Sequence, residues 1–283
     1  MTDSAQAAGD LERRQADKDR IVTLLGEEWS VIADLASGLD TGAWSAPALP
    51  GWDVHDVLAH MIGTERMLDG VALPPVEAGL DGRDHVRNDI GKANEAWVIS
   101  LRDRSHAELL ADFRAITAKR LARLTEMSTD EFYQPSWTPA GNGTYGRWME
   151  IRVFDCWMHE QDIRTAAGLP GHESGPAAEQ SLAEVTGALG YIIGKRGKAP
   201  DGSSVLIRLT GPIEHDLHVV TSGRAKVVDA LDGEPTATIS LSSSLFLRLA
   251  GGRRDPEAAM SEIKLGGDVG LARQLAANLA FTI

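Results

Sequence analysis

Apolar residues recur at helical spacing through the first two-thirds of the chain and alternate only after it. Between Asp10 and Leu39, the residues Ile21, Leu24, Leu25, Val31, Ile32 and Leu35 share one face of a 3.6-residue turn and predict a helix ending near Gly38. Asp53 suits an N-cap, and Val54, Val57, Leu58, Met61 and Leu68 make the apolar stripe of a second helix running to about Gly70. The segments TGAWSAPALPGW and LPPVEAGLDGRD read as loops, and further helices are predicted over residues 85–102 and 106–127. QPSWTPAGNGTYGR, rich in glycine and proline, reads as a long irregular connection. Thr144 can cap the next helix, which runs to about Ala167 and is stopped by Gly168 and Pro170. One more helix is predicted over residues 176–194.

The texture then changes. SVLIRLTG, DLHVVTSG and TATISLS are short alternating or β-branched runs between turn residues, which predict strands of an antiparallel sheet. SSLFLRLAGG and DVGLARQLAANLAF read as helices packed on it. The fold class is therefore α+β, an all-helical N-terminal domain followed by a smaller α+β domain.

Composition narrows the function. Of 283 residues, 43% are hydrophobic and 24% charged, the balance of a globular protein. No apolar run approaches the roughly 20 residues needed to span a membrane. The start, MTDSAQAAGDLERRQADKDR, lacks the basic and apolar regions of a signal peptide, so a cytoplasmic location is expected. A formal net charge of −13 argues against nucleic acid and against anionic membrane surfaces as partners, and leaves a small-molecule substrate. The one cysteine, Cys156, rules out an intramolecular disulfide or a cysteine-cluster metal site. A bound metal would need histidines and carboxylates.

The stretch GRWMEIRVFDCWMHEQDIRTAAGLP offers both. Asp155 and His159 are four residues apart, so on a helix they lie one above the other. Their face also carries Trp148, Ile151, Met158, Ile163 and Ala166, together with Arg152 and Asp162. Burying such polar groups costs about several kcal/mol each unless they are paired or coordinated. A metal resolves this for Asp155 and His159; a structural Asp–His hydrogen bond does so as well. Arg152 and Asp162 could pair across neighbouring turns. In GWDVHDVLAHMIGTERMLDG, His60 flanks the apolar stripe and can reach the bundle interior. His55 is rotated from it by about 140° on a regular helix, which predicts a solvated histidine. Two imidazoles and one carboxylate form a three-ligand set with an open position, the arrangement of catalytic zinc or of an iron(II) facial triad. Residue types alone leave metal site and structural pair both open. Trp52, Trp148 and Trp157 are expected to pack, and Cys156 to act as a small hydrophobe. His85, His106, His172, His215 and His218 are expected to be solvated.

The motifs GWDVHDVLAH and MEIRVFDCWMHEQDIRTAAGLP resemble those of the mycothiol-dependent maleylpyruvate isomerase family, within the DinB-like superfamily. The resemblance implies a DinB-like four-helix bundle over residues 10–170. TATISLSSSLFLRLAGG and IKLGGDVGLARQLAANLAF are similar to a sterol-carrier-like domain, implied over residues 171–283. It further implies His60, Asp155 and His159 as ligands of a divalent metal, zinc foremost, with Asp155 standing where the family has the longer glutamate. Mycothiol or a similar thiol is the implied cofactor, and the substrate a small electrophile that is isomerised or conjugated. With maleylpyruvate, thiolate addition to the double bond would permit rotation before elimination. An arginine of the second domain works near the substrate in that family; Gly252-Arg253 is the candidate position for it here, and an exposed loop arginine is the other reading of Arg253. Two other readings stand beside this one: a lipid or small-molecule carrier using the C-terminal domain, and a metal-dependent hydrolase with water in the open position.

Overall fold

The structure, a computed structural model, describes residues 2–75 and 80–282. Residues 76–79, within the predicted LPPVEAGLDGRD loop, lie outside the described residues. The chain divides into two compact units, Met1–Gly171 and His172–Ile283.

Four long helices build the first unit: α1 (Thr2–Ser37), α3 (Val54–Leu68), α5 (His106–Glu126) and α7 (Tyr145–Ala167). α1 packs on α5 and α7, and α3 packs on α5, on α7 and on the shorter α4 (Asp89–Leu101). The apolar stripes read from the sequence meet at these contacts, with Ile21, Leu25, Ile32, Val57, Leu58 and Met61 fully buried. Local chemistry fixes the helix ends. The Asp53 side chain accepts from the Asp56 amide, Ser105 and Glu108 form a reciprocal capping box on α5, and Thr144 accepts from the Arg147 amide. Gly168 closes α7 at φ 67°, a left-handed conformation that suits glycine.

The structure departs from the sequence reading in four places here. α1 begins at Thr2 rather than at Asp10. The segment after it is not all loop: it holds a single-turn helix α2 (Thr41–Trp44) and an antiparallel pair, β1 (Pro47–Leu49) and β2 (Trp52–Asp53). A 3₁₀ turn, Leu80–Gly82, lies in the second predicted loop. The glycine-rich connection before α7 follows a single-turn helix α6 (Thr129–Phe132) and is a hairpin, β3 (Pro135–Thr138) and β4 (Gly141–Thr144). Its glycines signalled a turn, and the flanking residues pair as strands because Gly141, at φ 104°, lets the chain reverse within a few residues.

The second unit opens with α8 (Pro176–Tyr191), prolonged by a π-helical turn Ile192–Arg196. Its sheet comprises β5 (Ser204–Thr210), β6 (His215–Ser222), β7 (Arg224–Val228), β8 (Ala237–Ser242) and β9 (Lys264–Gly267), in the order β7-β6-β5-β8-β9. The expected antiparallel sheet is in fact mixed, because β8 returns alongside β5 in parallel. That pairing comes from the long connection through β6 and β7, which alternation within single strands does not encode. β7 and β9 escaped the pattern since RAKVV and KLGG are charged or glycine-rich edge strands. Val205, Ile207, Leu209, Val219, Ile239 and Leu241 are buried. α8, α9 (Ser243–Ala250) and α11 (Val269–Ala276) pack on the sheet, with a single-turn α10 (Pro256–Ala259) before β9. Among the described residues, no helix is long and apolar enough to cross a membrane.

Candidate metal centre

α7 is buried on most of its circumference, so its polar side chains must be satisfied within the bundle. Asp155 and His159 point from it toward His60 on α3. One ligand atom from each of the three lies within 4.8 Å of the others. His159 Nε2 is 3.5 Å from Asp155 Oδ1, and His60 Nε2 is 3.9 Å from Asp155 Oδ2. The two imidazole rings meet edge-on, with centroids 4.8 Å apart. The histidine side chains are 7% and 5% exposed but Asp155 is 33% exposed, so the cluster opens to solvent on the carboxylate side.

Each member is held by a further group. His159 Nδ1 lies 3.0 Å from Asp162 Oδ2, and a carboxylate only accepts. Nδ1 therefore carries a proton, and Nε2 faces Asp155. Trp52 covers His60, ring centroids 5.2 Å apart, and is pinned by donating its indole N–H to Glu95 at 2.8 Å. Burial raises the carboxyl of Glu95, but hydrogen bonds from Trp52 and His85 and the charge of Arg83 outweigh it, holding the group below the ordinary carboxylate range. Arg152 donates from Nη1 to Asp155 Oδ2, and from Nε and Nη2 to Glu65 Oε1 at 3.0 and 2.8 Å. Glu65 also accepts from Arg120 Nε at 3.0 Å, and Arg120 Nη2 donates to the Tyr145 hydroxyl at 2.7 Å.

Several sequence expectations need correction. Arg152 and Asp162 do not pair with one another: Asp162 supports His159, and Arg152 bridges Asp155 to Glu65. Glu65 and Arg120, both buried, were missed. The signal was present, since Glu65 falls four residues after Met61 and three before Leu68, at the stripe spacing. His55 is 7% exposed rather than solvated; its Nε2 donates to the Arg104 carbonyl at 3.0 Å. His85 likewise pairs with Glu95 at 3.1 Å, and His106 stacks on Trp44 with centroids 4.8 Å apart. Cys156 is fully buried, and burial pushes its thiol far above its ordinary value. Arg253, in the second unit, is half-buried and donates to the Gly251 carbonyl at 2.7 Å; its place near a substrate rests on the resemblance alone.

Fold and cluster together define a class: a helical bundle carrying a His–Asp–His group with both imidazoles buried, joined in the chain to a smaller α+β unit. Comparison with known proteins makes this specific. The mycothiol maleylpyruvate isomerase N-terminal domain matches residues 25–164, and the MDMPI C-terminal domain matches residues 179–274. The chain belongs to the mycothiol maleylpyruvate isomerase family. A crystal structure of the mycothiol-dependent maleylpyruvate isomerase is similar at a TM-score of 0.58 and 16% identity, covering 89% of this chain and 94% of that one. A histidine-to-alanine mutant of mycothiol-dependent maleylpyruvate isomerase gives a TM-score of 0.55 at 16% identity, with the same coverage. At that identity the likeness speaks for the fold. No curated protein matches the sequence.

Proposed function

We propose that this protein is a divalent-metal enzyme that uses mycothiol or a similar thiol to isomerise or conjugate a small electrophile, with His60, Asp155 and His159 holding the metal. The observation that carries the reading is the Asp162–His159 hydrogen bond. It fixes the imidazole tautomer with Nε2 turned to the cluster, the outer support that metal-binding histidines generally have. Two neutral imidazoles and one carboxylate suit zinc and leave a position open. The exposed flank of Asp155 supplies an approach from solvent.

A cation bound there would supply the positive charge that keeps a thiol as its nucleophilic thiolate near neutral pH. The chain's own groups do the rest. Asp162 holds the proton bond that orients His159, and Trp52 packs against the His60 ring. Arg152 fixes the carboxylate of Asp155. Family membership supports the thiol and isomerase chemistry, and maleylpyruvate is the first substrate to try.

The test is elemental analysis of purified protein, then cis-to-trans conversion of maleylpyruvate with and without mycothiol. Stoichiometric zinc and conversion that needs both metal and thiol are expected. Metal present with thiol-independent hydrolysis of esters or amides would replace the reading with a hydrolase. Absence of stoichiometric metal after zinc loading would overturn it.

A further inference from the structure

We infer that Arg152 and Glu65 are positioning residues for the metal site, a device that holds the short Asp155 carboxylate in ligating orientation. The inference rests on the metal reading above. Its basis is an ion network with very little access to water: the side chains of Arg120, Glu65 and Arg152 are 0%, 1% and 3% exposed. It runs from Tyr145 through Arg120, Glu65 and Arg152 to Asp155, tying α5 to α3 and α3 to α7.

An isolated buried ion pair is a poor source of stability, because desolvation offsets its attraction. Four charged groups linked across three helices therefore call for a role beyond folding. The arrangement is directional. Arg152 gives Nε and Nη2 to one oxygen of Glu65 and turns Nη1 to Asp155, so the planar guanidinium fixes the carboxylate of Asp155 relative to α3. Asp155 has one fewer rotatable bond than glutamate, and this bond to Arg152 restricts its remaining freedom.

Charge explains why Glu65 is needed as well. A guanidinium beside a cation site would repel the metal and draw charge from the ligating carboxylate. Glu65, bonded to Arg152 on the far side, offsets that charge, and Arg120 satisfies the second oxygen of Glu65. Counted without Asp155, the support carries Arg120 and Arg152 against Glu65, so Glu65 offsets part of the arginine charge that faces the site. Asp155 is thereby oriented by an arginine whose field is reduced.

The experiment measures zinc affinity by competition with a chromophoric chelator for the wild type, Arg152→Lys, Asp155→Asn and the double variant, with melting curves for each. Lysine keeps the charge but cannot reach Glu65 and Asp155 together in one plane. Arg152→Lys is expected to weaken zinc binding about 10- to 100-fold, the usual cost of an outer support. In the Asp155→Asn background the same change should add less than about 3-fold, because Arg152 acts through that carboxylate. If Arg152→Lys fails to fold, Glu65→Gln in both backgrounds makes the same test. A wild type that binds zinc while Arg152→Lys binds it equally well overturns the inference, as does a double variant that loses the product of both single effects. A wild type without stoichiometric zinc overturns the metal reading itself, which is a separate result.

Discussion

Two histidine–carboxylate groups lie along α3, and they differ in what their donor atoms are already doing. Asp53, His55 and Asp56 bring ligand atoms within the same 4.8 Å as His60, Asp155 and His159. In the first group the atoms are committed. Asp53 caps the helix by accepting from the Asp56 amide, Asp56 gives both oxygens to Arg102 at 3.1 Å, and His55 donates to the Arg104 carbonyl. In the second, both Nε2 atoms and the carboxylate face one another; Asp162 holds His159 by its far nitrogen, and Arg152 holds Asp155 at Oδ2 while Oδ1 lies toward His159. Proximity is equal in the two, and both mix imidazole with carboxylate, two carboxylates to one imidazole in the first and the reverse in the second; the partners of each atom separate a helix-end fixture from a candidate ligand set.

The most severe way to break that comparison is to remove one histidine from each group. Structural zinc is worth about 10–16 kcal/mol over four ligands, so one ligand carries roughly 3 kcal/mol, about a hundredfold in affinity. His159→Ala should lose zinc to that extent in chelator competition. His55→Ala should retain stoichiometric zinc and lower stability by about 1–3 kcal/mol, from the lost hydrogen bond and the space left by the buried ring, read by urea unfolding. Zinc lost from His55→Ala and kept by His159→Ala would invert the assignment.

A milder change sharpens it. Asp162→Asn preserves shape, and its amide oxygen can still accept from His159 Nδ1, but without the carboxylate's charge. Zinc affinity should fall about tenfold, at the lower end for an outer support. Asp56→Asn, the matched change in the other group, weakens a bidentate bond to Arg102 and should lower the melting temperature with zinc affinity intact. Equal zinc loss in both variants would mean that the two groups are not distinct.

Much of this was legible in the chain. His60, Asp155 and His159 stand out because polar residues occupy spacings that otherwise belong to a buried face, and α7 proved buried almost all round. The supports were harder to see. Asp162 was visible on that face, yet its partner was misread, since i,i+3 and i,i+4 neighbours on one helix compete and only packing decides among them. Glu65 and Arg120 sit 55 residues apart, and their pairing follows from helix packing that periodicity does not specify. His55 was read as solvated from its rotation relative to His60, but Trp44 and His106 cover that side from elements whose placement is tertiary. The same limit produced the mixed sheet: strand patterns identify β5 and β8, and their parallel pairing depends on chain path.

The smallest expected effect comes from the rim of the committed group. His106 stacks on Trp44 and lies 5.7 Å from the His55 ring. Burial, and then the charge of His55, holds its imidazole below the ordinary value of 6.5, against a weaker opposite pull from Asp53. With the folded value depressed, the unfolded chain takes up the proton more readily. Stability from this residue is therefore full above pH 6.5 and is lost as pH falls through 6.5 and then through the folded value. Metal held by the proposed ligands would add its own acid sensitivity on release, so the measurement belongs on chelator-treated protein. Between pH 7.5 and 5.5, the urea midpoint of His106→Gln should fall less steeply than that of the wild type. Superimposable slopes for wild type and His106→Gln would show that the rim histidine titrates as if exposed, and would confine the electrostatic contrast between the two groups to their interiors.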